Sequence, residues 1–363
     1  MSQTAQPRVS PTPQRPTDRL AGLDLARYLA FVGMVIVNFK VAMGAEDGTG
    51  LLAQLTALLE GKAAATFVVL AGIGLGLAGQ GALDRTLSVT LRRALFLMGL
   101  GLVNMLIFDA DILHFYAVYF LFGVALLPCT NRTLWGALIG VNLLFVALVL
   151  GLNYDAGWDW TDYTYADLWT PLGFLRHLFF NGWHPVIPWI SFLILGILLA
   201  RLPLQQRRVQ SGLMLGGAMA LGVAAMLSAG LMRLAAAYAE AVQLLTTEPI
   251  PPMPLYMLSG YGAACLVVGL CLRAAAWAGR SGVMAVVVPA GRQTLTLYLA
   301  HILIGMGVLE ALGLLVEQGQ AQSVPLAVGA ALLFCVLATG YAWAWNRHFK
   351  RGPVEMLMRR LAG

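Results

Sequence analysis

Charge is what this chain has least of: only 11% of its 363 residues are Asp, Glu, Lys or Arg, where soluble domains carry about a quarter. That scarcity excludes a soluble globule, a disordered chain and a collagen-like one. With hydrophobic residues at 59%, it leaves a polytopic membrane protein. Cysteine is confined to Cys129, Cys265, Cys271 and Cys335, all in or beside apolar runs, which implies neither a disulfide framework nor a metal site. Histidine is absent before His114. Alternating ten-residue segments are missing as well, so the apolar runs read as helices and not as a barrel. A net charge of +6 would suggest nucleic acid in a soluble protein, but here it is explained by which side of the membrane the arginines occupy, and no nucleic-acid partner is expected.

What is present is a series of long apolar windows. They predict an all-α polytopic membrane helix bundle of about ten transmembrane helices, at 25–43, 63–80, 89–108, 112–128, 133–152, 186–202, 213–238, 255–278, 294–315 and 324–345. With the N-terminus inside, 19 of the 23 basic residues fall on cytoplasmic segments and only Lys40, Lys62, Arg176 and Arg233 fall outside. The positive-inside rule therefore predicts that both termini are cytoplasmic. Residues 1–18, with Pro7, Pro11, Pro13 and Pro16, read as a disordered cytoplasmic tail ahead of a single transmembrane domain over 19–363. Two connections look interfacial, the stretch 51–60 and the loop 153–185. The loop carries four Asp with Trp158, Trp160, Tyr163, Tyr165, Trp169 and Trp183. Its aromatics suit the headgroup level or stacking on a sugar.

Gly74-Leu-Gly76-Leu-Ala-Gly79 spells a dinucleotide fingerprint, but no strand precedes it and it lies inside an apolar helix. Gly72 and Gly76 stack on one helical face, and close helix packing is the better reading. Asp109-Ala-Asp111-Ile-Leu-His114 stands at the outer start of the fourth span, where Asp111 can cap the helix and His114 lies one turn in. The two form either a general-base dyad or an ordinary cap beside an interfacial histidine. His301 sits nine residues beyond Arg292, about 13 Å deep, with Tyr298 and Thr294 on the same face. This stripe can line a tunnel or serve an interhelical hydrogen bond. His184, in the Asn181-Gly-Trp-His-Pro-Val-Ile-Pro-Trp189 entry to the sixth span, is a substrate-side candidate or an interfacial residue, and Trp189 goes with it. Arg85, Arg92, Arg93 and Arg292 can clasp phosphates at the cytoplasmic face, although topology alone also places arginines there.

Read together, these segments resemble a known group. Arg19-Leu-Ala-Gly-Leu-Asp24-Leu-Ala-Arg27, Gly33-Met-Val-Ile-Val-Asn38 and Gly61-Lys62 through Thr66-Phe67 to Gly72 look like the first two spans of heparan-alpha-glucosaminide N-acetyltransferase-like proteins. Ile112-Leu-His-Phe-Tyr116, Pro185-Val-Ile-Pro188-Trp189, Gly291-Arg-Gln-Thr-Leu-Thr-Leu-Tyr298 and Arg351-Gly-Pro-Val-Glu355 resemble the YeiB-like bacterial family.

The resemblance implies a transmembrane acyltransferase fold, with acetyl-CoA or another acyl-CoA as cytoplasmic co-substrate and an extracytoplasmic acceptor. In the acetyltransferase pattern a histidine follows the first-span Asn, but the matching position here, 11 residues after Asn38, is Thr49. His114 with Asp111 is therefore the expected base, with Asn38 as the oxyanion donor. The expected coenzyme contacts are Arg92, Arg93, Arg292, His301 and Tyr298, and the expected acceptor contacts are His184 and Trp189. The expected location is a bacterial inner membrane, with lipids as neighbours and a homodimer left open. The competing readings are a transporter of a small molecule or lipid, with Glu310 the deepest span carboxylate, and a non-catalytic family member.

Overall fold

A computed structural model describes residues 20–45, 50–81, 83–161, 163–280, 282–316 and 321–363. The predicted tail, Thr49 and the outer-side acids Glu46, Asp47, Asp162 and Glu317 lie outside these residues. The described residues are predominantly helical. Its one sheet among the described residues is a two-residue antiparallel pair, β1 (Trp158–Asp159) and β2 (Thr164–Tyr165), within the aromatic loop.

The long helices are α1 (Ala21–Ala42), α3 (Lys62–Ala78), α4 (Leu83–Asn104), α6 (Asn131–Gly151), α9 (Arg207–Leu234), α11 (Pro254–Arg280) and α15 (Val324–Trp345). Between them run α2 (Leu51–Ala57), α5 (Leu113–Leu126), α7 (Pro171–Arg176), α8 (Val186–Ala200), α10 (Ala239–Leu244), α12 (Val283–Arg292), α13 (Thr294–Ala300) and α14 (Gly307–Ala311). The last helix is α16 (Pro353–Ala362). Among the described residues eight helical runs are long and apolar enough to cross a membrane, and nine are when the bent pair Pro171–Asn181 and Val186–Ala200 counts as one. The expected fourth span is the shorter α5, 14 residues or about 21 Å long. Its first turn begins only after the Asp111 turn. The chain is a multi-pass membrane protein.

Side-chain caps set several helix starts. Thr130 accepts the Thr133 amide at α6, and Thr170 accepts the Gly173 amide at α7 ahead of Pro171. Two spans are interrupted by π turns, His177–Asn181 and His301–Met306, and each begins at a histidine. Such turns widen a helix by one residue and are common at functional sites.

Burial separates the helices into an inner and an outer set. In α8 every residue but Ile187 is buried, and α5 is buried continuously from Leu113 to Tyr119. By contrast α6 and α9 bury few positions and leave Leu143, Leu150, Leu215 and Met226 exposed, as suits contact with acyl chains. Within the inner set α3 packs closely on α8. A Cβ at Gly72 would meet the Leu193 carbonyl, and one at Gly196 would meet the Val69 carbonyl. Backbones this close require glycine, which is the packing role read from the sequence for the Gly72 and Gly76 face.

Candidate active site

Near the C-terminal end of α1, the Asn38 amide nitrogen lies 2.9 Å from His301 Nε2. The other ring nitrogen, Nδ1, hydrogen-bonds the Tyr298 carbonyl, which can only accept. Nδ1 therefore carries the proton, Nε2 accepts, and the Asn38 amide donates. His301 is fully buried, and both its nitrogens are committed to this arrangement.

Tyr298 lies one turn before His301 and turns toward the Asp111 corner. Its hydroxyl accepts from the Ile112 amide at 3.2 Å and donates to Asp111 Oδ1 at 3.3 Å. Asp111 also accepts from Asn104 Nδ2 at 2.8 Å, from the amides of Leu113 and His114, and from His114 Nδ1 at 3.1 Å. Asp111 thus caps α5 as expected, and it ties α4, α5 and α13 together. With Nδ1 of His114 donating to this carboxylate, Nε2 is left with no hydrogen-bond partner. The imidazole itself is packed against Phe115 at 3.9 Å and stacked on His177 at 5.9 Å.

A cavity of about 60 Å³ opens between these groups, lined by Asn38, Tyr298, His184, Gly61, Ala64 and Ile112 among others. Gly61 adopts φ +66°, a conformation that favours glycine, and a Cβ there would strike Pro249 and the Tyr256 hydroxyl. His184 occupies the break between the π turn and α8. Its carbonyl accepts from Tyr119 Oη at 2.5 Å, and its ring meets Trp189 edge to face at 4.6 Å.

The structure therefore brings together Asn38, Tyr298 and His184 on one cavity, with His301 behind Asn38, Asp111 behind Tyr298 and Trp189 beside His184. His114 does not line that cavity; it reaches the cavity through Asp111 and Tyr298. Neither His301 nor Thr294 lines that cavity; the His301 ring bonds Asn38 and the Tyr298 carbonyl, the interhelical role that was the alternative. Arg292 is not unpaired at the end of α12: its Nε lies 3.1 Å from Asp24 Oδ2, and Arg27 holds Asp24 Oδ1 at 2.6 Å. Arg92 and Arg93 are exposed on α4. Among the described residues no cluster of His, Cys, Asp and Glu has the makings of a metal site.

Four residues escaped the sequence reading. Asp24 carried a signal, an acid within an apolar first span. Glu355 accepts from the Leu295 and Thr296 amides and from Thr296 Oγ1, capping α13 from α16. Burial pushes its carboxyl up from the ordinary value and these hydrogen bonds pull it back in part. His177 and Tyr256 had no local signal, because only folding sets them beside His114 and Gly61. In the aromatic loop, Tyr165 donates to Asn181 and accepts from Arg176. Burial raises its phenol pKa, and the Arg176 contact offsets part of the rise.

The two halves of this arrangement coincide with two family descriptions. The model described as heparan-alpha-glucosaminide N-acetyltransferase, catalytic, matches residues 19–229 and so takes in Asn38, Asp111, His114 and His184. The model described as a protein of unknown function, DUF418, matches residues 198–363, which include Arg292, Tyr298, His301 and Glu355. No curated protein and no solved structure matches the chain. Since the first match covers more than half of the sequence, the chain belongs to the heparan-alpha-glucosaminide N-acetyltransferase catalytic family.

Proposed function

We propose that this protein is a membrane acyltransferase that moves an acyl group from cytoplasmic acyl-CoA to an acceptor on an envelope glycan, lipid or exported small molecule. Both termini face the cytoplasm and the membrane is a bacterial inner membrane. The observation that carries the reading is the Asn38 amide, held by His301 at a cavity that it shares with Tyr298 and His184. One amide N–H is spent on His301, and the second is left for a thioester oxygen, where a fixed donor stabilises the developing oxyanion. At about 60 Å³ the cavity has room for about four water-sized groups. That suits the acetyl end of acetyl-CoA better than a fatty chain. Asp111 and His114 steady the Tyr298 wall, and Arg92 and Arg93 are offered as coenzyme phosphate contacts.

The 48° bend between Pro171–Asn181 and Val186–Ala200 favours a second reading, a transporter, because broken helices are common at transport sites. One experiment separates the two: radiolabelled acetyl-CoA is supplied to inverted vesicles containing the protein. Acyl transfer predicts label in the envelope fraction and free thiol in the medium, with Asn38→Ala slower by about 10²–10³. Intact, unlabelled acceptor with no thiol released would leave the transporter reading.

A further inference from the structure

We infer that His184 is the general base of this site, a role that rests on the acyl-transfer reading. Elimination among the five histidines points to it. His301 has both nitrogens committed, to Asn38 and to the Tyr298 carbonyl. The His114 imidazole is packed against Phe115, Phe174 and His177 and is not part of the cavity wall. His177 is buried against His114, Phe115 and Tyr165, away from the same wall. His348 is exposed beyond the end of α15. His184 alone of the five both lines the cavity and keeps a ring nitrogen, Nδ1, without a hydrogen-bond partner.

Its surroundings are built to hold a ring in place. Tyr119 fixes the His184 carbonyl, Trp189 packs against the ring at 82°, and Phe115 meets it at 69° and 5.9 Å. The residues behind it repeat the pattern of unused polarity, because Trp189 Nε1 and Tyr256 Oη also lack partners and both residues are fully buried. Tyr256 stands against Gly61, itself a cavity residue. Buried polar atoms are nearly always paired, and a catalytic role is one of the explanations for an exception.

In the step this implies, a ring nitrogen of His184 takes the proton from the acceptor hydroxyl or amine as its oxygen or nitrogen bonds to the acyl carbon. Asn38 holds the carbonyl oxygen through the tetrahedral intermediate. The carbon–sulfur bond then breaks, and the coenzyme thiolate recovers the proton from the imidazolium. The balance needs only acyl-CoA and acceptor. His184 thereby does the work that the family pattern gives to a histidine at the position of Thr49.

The test uses purified protein in nanodiscs with acetyl-CoA, and water as the acceptor, following thiol release and acetyl-CoA binding in parallel. His184→Ala should slow release by about 10²–10⁴ with the Kd for acetyl-CoA unchanged, and added imidazole should restore part of the rate. His184→Gln, closer in shape, should be as slow, which guards against a folding defect in the alanine variant. His348→Ala, at the exposed histidine beyond α15, should keep the wild-type rate. A His184→Ala enzyme at wild-type rate, or one whose loss is matched in His348→Ala, removes His184 from the role and leaves acyl transfer standing. A wild-type protein that binds no acetyl-CoA, or binds it and releases no thiol, sinks the acyl-transfer reading and His184's role with it.

Discussion

At the scale of single residues, the buried polar groups near the cavity work in pairs. Replacing His301 by Leu removes the acceptor for Asn38 and frees the Tyr298 carbonyl at once. A leucine is welcome in an apolar span, but an unmet buried amide costs about 1–3 kcal/mol. His301→Leu should therefore lower the thermal midpoint in detergent and also slow acyl transfer, because Asn38 loses its orientation. If transfer slows with acetyl-CoA affinity retained, the role is positioning; loss of affinity alone would return His301 to a coenzyme contact. Asp24 is the matching case at the other end of α1, 1% exposed and shared by two arginines that are 24% and 32% exposed. Asp24→Asn keeps the shape and removes the charge, and should cost about 1.5–3 kcal/mol for the weakened charged hydrogen bonds. An unchanged melting midpoint would mean that Arg27 and Arg292 find equivalent partners.

At the scale of elements, the α13 start depends on a residue 60 positions away, since Glu355 takes the Leu295 amide at 2.8 Å. Glu355→Ala should cost about 1 kcal/mol, the usual loss for a helix cap, whereas Glu355→Gln keeps an acceptor and should cost less. The same residue predicts a pH dependence. Its folded-state pKa lies above the ordinary 4.5, so the folded protein holds this proton more tightly than the unfolded chain does. That contribution to stability is present below pH 4.5 and declines as pH rises through the folded value. Thermal midpoints taken from pH 4 upward should fall less steeply in Glu355→Gln than in wild type; parallel curves would assign the slope to other groups. Packing of α3 on α8 makes a sharper forecast. Gly196→Val puts a branched side chain into the Val69 carbonyl, and neither backbone can move without shifting a whole span. Little folded protein should survive size-exclusion chromatography, while Gly216→Val on the open face of α9, with nothing near its Cβ, should behave as wild type.

At the scale of the whole molecule, the charge asymmetry of the sequence predicts the orientation. A single cysteine replacing Asp159, on β1 in the aromatic loop, should react with a membrane-impermeant maleimide in intact cells. One placed at Arg207, at the start of α9, should react only after the membrane is opened. The reverse pattern would turn the bundle over and move His184 to the coenzyme side.

Much of this architecture is legible in the sequence because a bilayer imposes its own rules. A chain with 11% charge and 59% hydrophobic residues must bury its backbone polar groups in helices, so the class and the approximate place of most spans follow from apolar run length, while several ends shift by four to six residues. The expected span at 324–345 coincides with α15. The Asp111 cap is a local event, set within one turn, and the Gly72 and Gly76 spacing is local too, so both were readable, although the partner helix that Gly72 meets was not. What the sequence could not contain is which polar side chains meet. Asn38 and His301 are 263 positions apart, Asp24 and Arg292 are 268, and nothing in either local context states the pairing. His114 and His184 look alike as interfacial histidines on their own segments. Only the packing of α5 and the break before α8 decides that one is walled in by aromatic rings and the other faces the cavity. Apolar burial is additive along a chain and can be counted in advance, whereas a buried hydrogen bond needs two partners placed to within a few tenths of an ångström, and that placement exists only once the bundle has closed.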